Sequence, residues 1–167
     1  MKKPLLIILL IFLILIFPFL FVRLISPKEI DDVSPGIFCS QEDLEKSEIL
    51  WIIPKFNNRL ISENKEWCDY ILSLNKELGL HGITHEFEEF GTVQSQEYLQ
   101  EGINIFEDCF GYKPVMFKPS QLKISEENER LVKENKMELK GRFNQIIHKV
   151  YHCDDTGTLS NWMIDLV

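Results

Sequence analysis

The sequence predicts an α/β domain with a mainly parallel sheet, preceded by one apolar N-terminal helix. Two observations predict this class. Short runs of apolar and β-branched residues alternate with longer stretches whose apolar residues recur at helical spacing. This strand–helix–strand order is typical of parallel strands that are joined by helices. Without the apolar N-terminal segment, the 167-residue chain has enough residues for one domain.

The first element is the apolar run at residues 5–22, which contains no polar residue. About 20 such residues cross a bilayer as a helix. Lys2 and Lys3 precede the run, which predicts a cytoplasmic N-terminus and an extracytoplasmic remainder. We therefore predict a membrane anchor in residues 1–25 and a single outer domain in residues 26–167. The alternative is a cleaved signal peptide and a secreted domain, although no small-residue cleavage site follows the run.

Strands and helices then alternate along the outer domain. Four short apolar runs predict strands, at residues 48–54, 80–84, 114–120 and 145–152. Three amphipathic stretches predict helices, at residues 65–79, at residues 95–111 and from Ser125 onward. Gly79 and Gly111 stand where the first two helices are expected to end.

Charge and cysteine content narrow the classes of function. The net charge is −8 and no stripe of Lys or Arg is visible, which argues against nucleic acid as a partner. The four cysteines are widely separated, at positions 39, 68, 109 and 153, so a structural zinc knuckle is not expected. They form either two disulfides or buried free thiols, and the sequence does not choose among the three possible pairings.

Two short clusters carry the candidate chemistry: Asp31–Asp32 and the pair His81 and His85. One carboxylate and two imidazoles form the ligand set of an open, catalytic zinc-type site. Asp32, His81 and His85 are the predicted ligands of a divalent ion, for which zinc is the expected metal. Asp31 then remains available as a base, and an open coordination position is left for water.

The predicted strands place these residues together. His81 and His85 lie at the C-terminal end of one predicted strand, Lys118 lies at the end of a second, and His152 lies at the end of a third. Loops after parallel strands form the sites of β/α barrels and open sheets, so these side chains are expected to converge on one face.

Some of these residues also have purely structural interpretations. Asp31–Asp32 before Ser-Pro is compatible with a turn, and His152 with a turn at a strand end. The acidic positions 86, 88 and 89 are interpreted as a solvated loop, and Trp51 and Trp67 as core residues.

The segments EIDDVSP, HGITH and FGYKPVMFKPS, together with the late strand that ends at His152, resemble the ordered motifs of polysaccharide deacetylases, carbohydrate esterase family four. They are most similar to the divergent branch whose first motif reads D-D-V-S-P. The resemblance covers residues 29–153. It implies an incomplete, distorted β/α barrel and metal-dependent removal of acetyl groups from N-acetylated sugars.

The resemblance also implies roles. Asp31 matches the catalytic base, Lys118 the basic residue that orients this base, and His152 the general acid. Asp32, His81 and His85 match the family's metal ligands.

The chain departs from the family's pattern at several positions. Val33 replaces a usual glycine, Ser120 and Gln121 replace a proline–aromatic pair, and no fourth motif is recognisable. Lys118 stands where arginine is usual, and a lysine cannot make the planar, bidentate contact to a carboxylate.

We therefore predict a metal-dependent hydrolase of a carbon–nitrogen bond, which removes an N-acetyl group from a glycan. Its expected partners are the acetylated glycan and, through residues 5–25, a membrane. The alternative is a catalytically degenerate domain that binds a glycan or a partner protein without turnover. A third hypothesis is a hydrolase of another amide or ester.

Overall fold

The computed structural model describes residues 2–166, apart from the side chains of residues 2–9 and 15. Seven α-helices lie in this part of the chain: α1 (Lys2–Ile25), α2 (Gln41–Lys46), α3 (Lys65–Ser73), α4 (Gln96–Phe110), α5 (Glu126–Glu134), α6 (Arg142–Ile147) and α7 (Asn161–Leu166). The same residues form eight strands: β1 (Lys28–Val33), β2 (Ile49–Ile52), β3 (Lys55–Phe56), β4 (Arg59–Leu60), β5 (Glu77–His81), β6 (Met116–Lys118), β7 (Glu138–Leu139) and β8 (Lys149–His152).

Six strands form one sheet in the order β7-β6-β5-β2-β1-β8, and β3 pairs with β4 in a separate hairpin. Every pairing within the six-stranded sheet is parallel. Strands β1, β2, β5, β6 and β7 follow chain order, and β8 returns to pair with β1, as in a β/α barrel. Over residues 2–166 no pairing joins β7 to β8, so the sheet stays open at these two edges. The prediction of an α/β fold with a parallel sheet is confirmed.

Helix α4 shows how the pattern gives the packing. Its N-cap Ser95 accepts a hydrogen bond from the Tyr98 backbone N–H, and Gly111 ends the helix with a φ of 79°. Its apolar residues recur every three or four positions, so they share one face and pack into the core. They are Leu99, Ile103, Phe106 and Phe110.

The first predicted helix is too long at its C-terminal end. Helix α3 ends at Ser73, and β5 begins at Glu77, so Gly79 lies inside a strand and does not stop a helix. Position 79 requires a glycine because any Cβ there would lie 2.2 Å from the Trp51 ring. The predicted strand at 80–84 accordingly starts earlier and ends at His81.

The predicted strand at residues 145–152 is wrong in its first half. Helix α6 occupies this part, and only Lys149–His152 forms a strand. The side chain of Asn144 accepts a hydrogen bond from the Gly141 backbone N–H and thereby supports the start of the helix. An apolar run this short has no decisive period, which is why it was compatible with either element.

The cysteines form two disulfides, Cys39–Cys153 and Cys68–Cys109. The first bridge joins the loop after β1 to the end of β8, since Cys153 directly follows His152. The second bridge joins α3 to α4 within the core. The free-thiol interpretation is therefore wrong.

The predicted anchor corresponds to helix α1. Taken over the part of the chain that is described, no helix is long and apolar enough to cross a membrane. The prediction for residues 5–22 falls partly on residues 5–9 and 15, whose side chains lie outside that part.

Candidate active site

The two adjacent aspartates enter the same cleft because β1 carries a bulge. Consecutive side chains of a regular strand point to opposite faces. Between the pairs Ile30–Leu50 and Val33–Ile52, however, β1 contains one residue more than β2. Asp32 lies in this bulge, and its backbone is left-handed, with a φ of 65°. A non-glycine residue in this conformation costs about 1–3 kcal/mol, and such positions cluster at functional sites.

Asp32 meets both histidines at the carboxyl end of β5. Its Oδ1 lies 3.3 Å from Nε2 of His81 and 2.9 Å from Nε2 of His85. One ligand atom from each residue lies within 4.8 Å of the others. His81 ends β5, whereas His85 lies in the following loop with a φ of 62°, so the extended segment expected between them is absent.

The ligand atoms of this cluster are oriented to share one cation. Nδ1 of His81 is 3.0 Å from the backbone carbonyl oxygen of Lys118, which can only accept. The proton therefore belongs on Nδ1, and Nε2 directs a lone pair towards Asp32. Oδ1 of Asp32 is buried and has no properly oriented hydrogen-bond donor among the described residues. Ligand atoms about 2.0–2.2 Å from one tetrahedral ion lie about 3.3–3.6 Å apart. The separation of 3.3 Å between Asp32 and His81 lies in this range, and that of 2.9 Å between Asp32 and His85 is somewhat shorter.

The charges of the cluster also favour a bound cation. Burial would raise the pKa of Asp32, but the two imidazoles outweigh burial and hold this pKa well below its usual range. Burial lowers the pKa of His85, but the nearby Asp32 carboxylate more than offsets this effect, so the pKa is raised. The Asp32 carboxylate is therefore ionised and draws positive charge to itself.

Glu89 holds the loop that carries His85. Its carboxylate accepts hydrogen bonds from the backbone N–H groups of Ile83, Thr84 and His85, and from the Tyr98 hydroxyl. The side chain is buried, so the interpretation of position 89 as part of a solvated loop is wrong. Its buried charge is satisfied by backbone donors that are adjacent only in the folded chain.

Lys118 contacts Asp31. Its Nζ donates to Oδ1 of Asp31 at 2.7 Å, and the ammonium is fully buried. His81 and Lys118 are paired in the register of β5 and β6, which brings the segment FGYKPVMFKPS beside HGITH.

His152 reaches Asp31 from the other edge of β1. Its Nε2 lies 3.7 Å from Oδ2 of Asp31. Asn161 holds the backbone of His152 on both sides, through the N–H and the carbonyl group. Gly157 lies against the imidazole, and Thr156 donates to Oδ2 of Asp32 at 3.3 Å.

Gly157→Ala tests whether the position of His152 matters. A Cβ at position 157 would lie 2.4 Å from Nδ1 of His152, so the imidazole must move. Under the general-acid role that the motif resemblance implies for His152, we expect kcat to fall by about 10-fold or more with metal content unchanged, because small misplacements of catalytic groups are costly. Steady-state kinetics and metal analysis measure both quantities. Gly141→Ala is the matched control, since its Cβ meets nothing within 4 Å. An equal loss of kcat in both variants would contradict a role for His152.

An open cleft of about 490 Å³ gives access to these groups. The six candidate site residues do not all line it, because Lys118 lies behind Asp31 and is buried. The lining comes from the carboxyl ends of β1, β5 and β8, from the segments that follow β5, β6 and β8, and from helix α6. These residues are Asp31, Asp32, His81, His85, Gln121, Leu122, Gln145, His152, Thr156, Gly157 and Thr158.

Sequence reasoning missed two buried residues behind the cleft, Glu29 and His148. Glu29 is fully buried and contacts Lys118, Trp51 and His148. One sequence signal was available for Glu29: it stands two residues before Asp31, and alternate residues of a strand share a face. His148 and His152 repeat the spacing of His81 and His85, but among the described residues they belong to no cluster of three metal-type ligands. Nδ1 of His148 instead contacts Glu29.

No protein-family model and no curated protein matches this chain. It is similar to a CE4 family pseudoenzyme from Bacillus anthracis, with 20% identity, a TM-score of 0.45, and coverage of 55% of this chain and 31% of that chain. It is also similar to a mutant of the peptidoglycan deacetylase PdaC from Bacillus subtilis, with 17% identity, a TM-score of 0.49, and coverage of 70% and 58%.

A polysaccharide deacetylase from Bacillus cereus is a third neighbour, with 12% identity, a TM-score of 0.49, and coverage of 68% of this chain and 59% of that chain. The chain thus spans less than two thirds of the length of each of these proteins. At these identities and TM-scores the likeness does not establish a family or an activity.

Proposed function

We propose that this chain is a metal-dependent deacetylase that hydrolyses an N-acetyl group on a glycan. One observation carries the proposal: Asp31, held by Lys118 and flanked by His152, stands beside the three convergent ligand atoms of Asp32, His81 and His85. The cleft is open, so a substrate can reach the ligand atoms. This favours a catalytic site over a closed site in which an ion is only structural. The motif resemblance described above supports an acetylated sugar as the substrate.

Asp32, His81 and His85 would hold the ion, for which zinc is the proposed identity because two imidazoles and one carboxylate suit it. When bound, a divalent ion there supplies Lewis-acid chemistry, which lowers the pKa of water and polarises a carbonyl group. The hydrogen bond from His81 to the Lys118 carbonyl orients this ligand and fixes its tautomer.

The chain's own residues divide the proton transfers. Asp31 takes a proton from the attacking water as a general base. Lys118 orients the Asp31 carboxylate through its charge-assisted contact at Oδ1. His152 protonates the amine nitrogen as the C–N bond breaks, because an unprotonated amine is too basic to leave.

Acetate release tests the proposal. The full chain, purified in detergent and loaded with zinc, is incubated with chito-oligosaccharides, and free acetate is measured before and after chelation. We expect release that chelation abolishes and zinc restores. Glycan binding without acetate release from the zinc-loaded protein would favour the degenerate binding domain. Release from simple esters or other amides alone would favour the third hypothesis.

We further propose that residues 5–25 hold the protein in a membrane, with the domain of residues 26–167 outside. The apolar run at residues 5–22 supports this, because it includes the apolar residues 5–9 and 15, which lie outside the side chains that the structure describes. Helix α1 is continuous over the run, and its described apolar side chains, such as Phe17 and Leu24, are exposed. Asp31 follows Ile25 by six residues, a distance of at most about 20 Å along the chain. The proposed substrate is therefore a glycan close to the bilayer.

The membrane proposal predicts that the mature protein retains residues 5–25 and sediments with membranes. An apolar segment of this length resists extraction by salt but not by detergent. N-terminal sequencing after membrane fractionation measures this directly. A mature N-terminus near residue 26 in the soluble fraction would show a cleaved signal peptide and a secreted domain.

A further inference from the structure

A buried row of charged side chains lies behind Asp31. Glu29 and Lys118 are completely buried, and His148 is 8% exposed. Glu29 precedes Asp31 by two positions on β1, so their side chains share one face of the sheet. Burial of charged groups is costly unless each is paired, so the position of Glu29 calls for a physical reason.

Both oxygens of the Glu29 carboxylate have partners. Oε2 accepts from the Trp51 indole N–H at 2.8 Å and lies 3.4 Å from Nζ of Lys118. Oε1 contacts Nδ1 of His148. The Lys118 ammonium thus lies between two carboxylates, with Asp31 at 2.7 Å, and is 5.5 Å from the centre of the Trp51 ring.

We propose that Glu29 is a positioning residue that fixes Lys118 against Asp31, and that His148 and Trp51 fix Glu29 in turn. A lysine carries a compact charge on a flexible stem, so one contact to Asp31 does not determine where the ammonium lies. The second contact, to Glu29, restrains it. This inference rests on the proposed function, in which Asp31 is the base, and none of the three supporting residues touches substrate.

A double-mutant cycle separates this role from a merely structural one. Glu29→Gln, with the charge removed and the shape kept, is expected to lower kcat by about 10- to 100-fold. KM and zinc content should change by less than about twofold, because no ligand is touched. In a Lys118→Arg background the guanidinium can grip Asp31 with two N–H groups, so Glu29→Gln should cost about threefold or less. Equal costs in the two backgrounds would overturn the proposal, since coupling would be absent.

Two further variants keep the test decisive if Lys118→Arg does not fold. His148→Gln loosens Glu29 from its far side and should lower kcat in the same direction, again without loss of zinc. Ser47→Ala is the control, because it removes another buried side-chain hydrogen bond, to the Asp43 backbone carbonyl group, and this bond involves neither Glu29 nor Lys118. Thermal unfolding is recorded for each variant. A kcat for His148→Gln that matches Ser47→Ala would count against the proposal.

Crystal structures distinguish failure of this inference from failure of the proposed function. If the zinc-loaded wild type releases no acetate, the function is wrong, but the positions of Lys118 can still be compared. We expect Nζ of Lys118 to shift from its wild-type position in zinc-loaded Glu29→Gln, because a neutral amide oxygen restrains the ammonium less than a carboxylate does. An ammonium that keeps its wild-type position relative to both residue 29 and Asp31 would overturn the positioning role.

Discussion

Replacement of His81 or His85 by alanine is expected to abolish high-affinity metal binding, from one divalent ion per chain in the wild type. Each imidazole offers one of the three convergent ligand atoms, and the remaining two would leave a bound ion mostly to solvent. Loss of a group that only supports a ligand already costs about 10- to 100-fold in affinity, so loss of a ligand should cost more. Competition with a chromogenic chelator gives the affinity, and elemental analysis gives the stoichiometry.

His148→Ala is the matched control for this prediction. His148 belongs to a second H-x-x-x-H pattern with His152, yet its Nδ1 contacts Glu29 and lies outside the cluster. The variant should therefore retain one equivalent of metal. A full equivalent in the doubly substituted His81→Ala, His85→Ala protein would show that the site is elsewhere.

The sequence was sufficient for the parts of the fold that depend on local pattern. The apolar run at residues 48–54 contains β2, and the amphipathic stretch at residues 95–111 contains α4 together with its cap and its stop. In both cases the local conformational preference and the burial pattern indicate the same element, and such agreement makes a prediction from sequence reliable. The short run at residues 145–152 lacks such agreement, and half of it is helical.

Tertiary contacts decide the parts that could not be read. Gly79 looks like a helix stop, but it lies in a strand because Trp51 fills the space beside it. Glu89 and Glu29 look like surface charges, and only the donors gathered around them by the fold make their burial possible. The bulge at Asp32 is likewise invisible in a list of residues, although it directs two adjacent carboxylates into one cleft.

The site was predictable to the extent that strand ends converge. Asp32, His81 and His85 come from two strand ends, and the parallel sheet brings them within reach of one ion. The complete burial of Lys118 was not predictable, because the buried ammonium is paired with Glu29 as well as with Asp31. A basic residue placed by two carboxylates has no signature in spacing alone.

Asp31→Asn should remove most of the hydrolysis and leave the metal bound. The amide keeps the shape of the side chain, and its oxygen can still accept from Lys118, so the fold is expected to persist. It can no longer take a proton from water, and a general base typically contributes about 10²- to 10⁴-fold. Rates of acetate release and metal content, measured on the same preparation, test both halves of the prediction.

Asp32→Asn is the matched comparison, because it makes the same chemical change one residue further along β1. Oδ1 of Asp32 faces both imidazoles, whereas Asp31 faces Lys118 and His152. The Asp32 variant should therefore lose the metal, and its activity should fall with the metal content. Equal metal loss in the two variants would refute the division of labour between base and ligand. Full activity in Asp31→Asn with one bound ion would instead move the role of base to another group in the cleft, for which His152 is the nearest candidate.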